Sequence, residues 1–135
     1  MLLPEDLDAS LASAAVAAVW LFGSRARGDA DDDSDADIAL LLRAGAPVPS
    51  LHTQGALANE FATTLGVDEI DIVVLDRAPL DLRGRVLTEG RVLWSRDEPR
   101  RVRFTVETLS RYFDILPTIR EQDRAYLRAL ARRGL

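Results

Sequence analysis

The chain lacks cysteine and lysine altogether and has a single histidine, His52. Without cysteine there can be no disulfide, no thiolate nucleophile and no zinc–thiolate site. Positive charge is also in short supply. Seventeen arginines face 22 carboxylates, giving a net charge of -5 and a pI near 4.9, which argues against a general nucleic-acid binder. A long apolar run is missing too: residues 11–22 are too few to span a bilayer, and Glu5, Asp6 and Asp8 precede them where a signal peptide would be positive. These absences leave the expectation of a soluble, cytoplasmic protein. The chain does have 47% hydrophobic residues in a length of 135, enough for one compact domain with a real core. A second substrate would then bind at the surface of this domain or arrive on another protein.

Strands and helices alternate along the sequence. Pro4, an acidic first turn and an alanine-rich body predict a helix over about residues 4–16, followed by a short buried strand at 18–22 that ends at Gly23. Residues 36–42, "ADIALLL", predict a strand covered on both faces. Residues 49–65 have helical spacing with Gly66 as C-cap, 69–75 predict a third strand, 78–90 a short helix and 91–94 a fourth strand. The fold class expected is α/β, a mixed central sheet of about four strands flanked by helices. Residues 1–96 would form its core, and residues 97–135 a helical extension of the same domain. In that extension Phe104, Leu109, Tyr112, Phe113 and Leu116 recur at helical spacing, and Pro117 predicts a kink or break.

Residues 23–37, "GSRARGDADDDSDAD", crowd six aspartates into nine positions. Most acidic runs are solvated loops, and that reading suits Asp29, Asp31, Asp32 and Asp33. A calcium loop of the EF-hand type fails because its glycine and its final glutamate are missing. Asp35 and Asp37 differ by position: two residues apart at a strand entrance, they point to one face of the sheet. Two carboxylates held side by side repel unless cations lie between them, and oxygen ligands select magnesium. Just upstream, Gly23 and Ser24 follow a strand, where free N–H groups attract phosphate oxygens. A phosphate cradle beside a metal-binding pair suggests a nucleoside triphosphate held through Mg²⁺. Asp71, in the strand "EIDIVVL", can supply a third carboxylate.

Gly23-Ser24, ten residues, then Asp35-Ala36-Asp37 resembles the signature of the minimal nucleotidyltransferases of the polymerase-beta superfamily. The stretch "IDIVVLDRAPLDLRGRVLTEGRVLW" resembles the second half of that domain, and "RYFDILP" the tail of the MntA-type antitoxins that partner HEPN toxins. The resemblance spans about residues 15–117.

It implies a nucleotidyltransferase fold and transfer of AMP from ATP to a hydroxyl, such as a tyrosine, of a HEPN-type ribonuclease toxin. Gly23 and Ser24 would hold the phosphates, with Arg25 and Arg27 neutralising them. Asp35 and Asp37 would bridge two Mg²⁺ ions, and Asp71 would bind the one that activates the hydroxyl. Glu69 shares the face of Asp71 and competes for that role. His52 reads as surface or cap, Trp20 and Trp94 as core, and Arg83 as a member of an ion pair. Two alternatives stay open: an antitoxin that neutralises by binding with an idle site, and a small-molecule transferase of the aminoglycoside-modifying kind.

Overall fold

The computed structural model describes residues 3–23 and 36–133. Helix α1 (Glu5–Ser13) leads into β1 (Val16–Phe22), and β2 (Ala36–Leu42) returns antiparallel to it. Helix α2 (Leu51–Leu65) then carries the chain to β3 (Ile70–Val74), which lies parallel to β2. A 3-10 turn at Leu75–Arg77, helix α3 (Leu80–Glu89), β4 (Arg91–Ser95) and helix α4 (Glu98–Arg132) complete the order. The sheet is mixed, in the order β3-β2-β1-β4, with β4 antiparallel to β1. This is the expected α/β architecture.

Each sheet face has its own core. Leu7 and Leu11 of α1 and Leu57 and Phe61 of α2 pack on Val19, Ile38 and Leu40. On the other face Val86 of α3 and Phe104 of α4 pack on Trp20, Ala39 and Leu41. Burial of one such leucine or phenylalanine contributes about 1.5–3 kcal/mol, which is why β1 and β2 are apolar on both faces. Trp20 and Trp94 are core residues, as expected, and the Trp94 indole donates to Asp8 Oδ1 at 2.7 Å.

Four expectations need correction. Helix α1 ends at Ser13, not near residue 16, and β1 begins at Val16. The alanine-rich stretch 12–18 favours helix by propensity, but sheet burial overrides it, and Ala15 turns the chain at φ 58°. Leu75 belongs to the 3-10 turn, not to β3. Helix α4 runs through Pro117 without a break, because the missing N–H removes one rung while its neighbours keep theirs. Arg83 is held by a main-chain carbonyl: its Nη2 donates to Asp76 O at 2.8 Å, and its guanidinium lies over Phe104. The carboxylate of Asp76 instead accepts from Arg100 Nη2 and Leu42 N, both at 3.0 Å. Arg100 Nε also donates to Leu42 O, so the root of α4 is tied to the end of β2.

Helix caps follow their chemistry. The Ser50 hydroxyl accepts from Thr53 N at the start of α2, and Gly66 closes that helix in the left-handed region. His52, one residue into α2, is exposed. No described helix is long and apolar enough to cross a membrane.

Candidate active site

β1 ends at Phe22, and the next residue, Gly23, takes φ +81°. Side chains avoid that left-handed region, and a Cβ here would also strike the carboxylate of Asp37. The glycine therefore lets the β1 turn pass directly against an acidic side chain. Sequence alone assigned that close approach to a ligand; in the fold it is made to Asp37.

Asp37 is the second residue of β2 and lies opposite Phe22 on one side and Asp71 on the other. Neighbouring strands are about 4.8 Å apart, and in parallel register opposed residues share a face. Alternation settles which face. Ile38 and Leu40 of β2, and Ile70 and Ile72 of β3, pack toward α1 and α2, so Asp37 and Asp71 face the side of α3 and α4. Asp71 is exposed and Asp37 half-buried, so the pair is open to solvent. Like charges directly opposed on adjacent strands destabilise a sheet, and an all-oxygen donor set of this kind suits a hard divalent cation.

Ser24, Arg25, Arg27 and Asp35 lie outside the described residues. Glu69 is exposed just ahead of β3, and its main-chain carbonyl accepts from Ala36 N at 3.3 Å. Register opposes Asp71 to Asp37, and among the described residues no group of three or more acidic or histidine side chains gathers as a metal cluster.

Two carboxylates elsewhere carry displaced pKa values. Glu98, at the start of α4, is lowered to about 2, first by hydrogen bonds from Arg101 and then by one from the Ser95 hydroxyl. Asp8 is lowered by the Trp94 indole and next by Arg96, whose Nη2 reaches it at 2.6 Å. The partners of Glu98 lie three residues away on either side, whereas those of Asp8 are brought to it only by the fold. Asp8 meets partners 86 and 88 positions away.

Comparison with known proteins agrees with this fold. The family model described as "Polymerase beta, Nucleotidyltransferase" matches residues 5–99. A toxin–antitoxin crystal structure with AMP-PNP is 27% identical with a TM-score of 0.64, covering 96% of this chain and 99% of its own. The structure of a tri-AMPylated Shewanella oneidensis HEPN toxin in complex with its MNT antitoxin is similar at 25% identity and a TM-score of 0.59, with 93% of both chains covered. A third structure, assigned as a minimal nucleotidyltransferase, is 32% identical with a TM-score of 0.50, over 64% of this chain and 85% of its own. No curated protein sequence matches.

Proposed function

Because the chain belongs to the polymerase beta nucleotidyltransferase family, we propose that it transfers AMP from ATP to a hydroxyl of a partner HEPN-type toxin and so acts as its antitoxin. The observation that carries the reading is the opposed Asp37–Asp71 pair against Gly23, in a chain similar over 93% of its length to an antitoxin solved with an AMPylated toxin. Residues 1–96 would form the transferring core and residues 97–135 its helical extension.

Asp37, Asp71 and Asp35 would hold Mg²⁺, which when bound neutralises phosphate charge and lowers the pKa of the acceptor hydroxyl. The main-chain N–H groups at Gly23 and Ser24 would bind the phosphates, with Arg25 and Arg27 close in sequence to offset their charge. A hydroxyl oxygen, a tyrosine phenol in our reading, bonds to the α-phosphorus as the bridge to the β-phosphate breaks, and pyrophosphate leaves. Transfer to a protein needs an open site, and the exposure of Asp71 supports that reading. In this reading the partner presents the acceptor.

Incubation with labelled ATP, Mg²⁺ and the cognate HEPN protein tests this. Label should appear on the HEPN protein and vanish with Asp37→Asn, with Tm measured beside it to show that the variant is folded. Mg²⁺ and ATP together should raise Tm by more than the sum of their separate effects, since each completes the other's coordination. Neutralisation of the toxin without any label would point to an antitoxin with an idle site.

A further inference from the structure

Helix α4 has 35 residues, about 52 Å at roughly 1.5 Å each. Its buried residues are Phe104, Thr108 and Tyr112, all in its first half. The part from Phe113 to Arg132, about 30 Å at the same rise, fully buries no residue: Ile115, Leu116, Ile119, Ala129 and Leu130 are half-buried and the others exposed. It is not a plain solvated helix. Ile119, Tyr126 and Leu130 continue the spacing of the buried Phe104–Tyr112 face, and Leu127 lies beside them. Tyr126 and Leu127 are 65% and 62% exposed. An apolar stripe on an isolated helix gains nothing from water, since helices of this kind draw their stability from the face they bury.

Charge narrows the choice of cover. From Pro117 onward the chain holds five arginines and two carboxylates, a net +3, while the rest of the chain carries -8. Arg120, Arg124, Arg128 and Arg132 follow one another at four-residue spacing along this stretch, with Arg124 and Arg128 both reaching Glu121. A partner surface that suits it combines an apolar groove with a carboxylate rim.

The relatives separate in the same way. The family model stops at residue 99, and the minimal nucleotidyltransferase aligns with only 64% of the chain. The toxin–antitoxin structure aligns with 96%, which requires nearly all of α4. The likeness to a toxin–antitoxin structure therefore takes in most of the long helix. We infer that residues 113–132 of α4 are the docking arm for the toxin, with Tyr126 and Leu127 as its anchors in an acid-rimmed apolar groove of the partner. The identity of the partner rests on the function proposed above; the exposed stripe does not.

The test uses the full chain with the cognate HEPN protein. The double variant Tyr126→Ala, Leu127→Asp should keep the wild-type Tm and ATP binding, because both side chains are exposed, while toxin affinity drops roughly 30-fold or more, the loss expected at an interface hot spot. Affinity of the wild-type chain should also fall as salt rises. Val106→Asp, at the exposed root of the same helix, should leave affinity unchanged. Wild-type affinity in the double variant overturns the inference, as does a loss confined to Val106→Asp. So does a double variant that dissolves a homodimer of this chain yet still holds toxin, since the stripe would then belong to a second copy. A wild-type chain that binds toxin through these residues but transfers no AMP would remove the enzymatic reading and leave the docking arm standing.

Discussion

Gly23 and Asp37 share one small space: the glycine carries no side chain where the aspartate places its carboxylate, and its φ of +81° keeps the chain there. Gly23→Ala should therefore do two things. Holding alanine in the left-handed region costs about 1–2 kcal/mol, measurable by urea unfolding. The methyl also displaces the Asp37 carboxylate, and transfer should fall roughly a hundredfold, as for a misplacement of about 1 Å. A variant with normal turnover would show that the contact has no part in the chemistry.

Asp71 stands opposite Asp37 on an exposed strand edge. Asp71→Asn should lower kcat by about a hundredfold or more while ATP affinity changes little, if its role is toward the acceptor hydroxyl and not toward the phosphates. Single-turnover kinetics beside equilibrium ATP binding separates the two. Equal losses in both would return the assignment to Glu69.

Gly84 on α3 faces the ring of Tyr112 on α4, and a Cβ at this glycine would overlap that ring. Alanine improves helix propensity by about 1 kcal/mol. Forcing a methyl into a packed contact costs about 1–3 kcal/mol, so the clash wins and Gly84→Ala should lower the denaturation midpoint. Adding Tyr112→Ala should make the glycine substitution neutral or stabilising, a coupling that a double-mutant cycle will read directly.

Glu98 ties the start of α4 to Arg101 and Ser95. Its pKa is lowered from the ordinary 4.5 to about 2, so the folded state favours the charged form. Its contribution to stability is complete above pH 5 and is lost as pH falls through about 4.5 toward about 2. Thermal melts across that window should fall less steeply for Glu98→Gln than for the native chain. The difference should shrink in high salt because Glu98 is solvent-exposed.

Much of this fold is legible in the sequence wherever local chemistry and burial agree. Residues 36–42 are apolar on both faces apart from Asp37 and are bounded by charge, and β2 has those limits. Gly66 and Ser50 mark the ends of α2 by capping chemistry. The alanines before Val19 favour helix by local propensity, and only pairing on both sides of β1 overrides it. The candidate site divides in the same manner. Spacing singles out Asp37 and Asp71, but Glu69 and Asp71 obey the same two-residue period. Which of them meets Asp37 is a matter of register between strands separated by a whole helix, a long-range contact that no local pattern encodes.

Pro117 sits five residues past Tyr112, the last point where α4 is buried. Its ring withholds the hydrogen bond that would otherwise reach Phe113, so the helix is weakest in bending just where it leaves the core. The root, clamped by Arg100 to Leu42 and Asp76, stays fixed. The result is a lever with a more compliant joint just past its middle. A partner held near the tip, as inferred above, would change its aim toward the proposed site by bending at this joint while the root stays clamped.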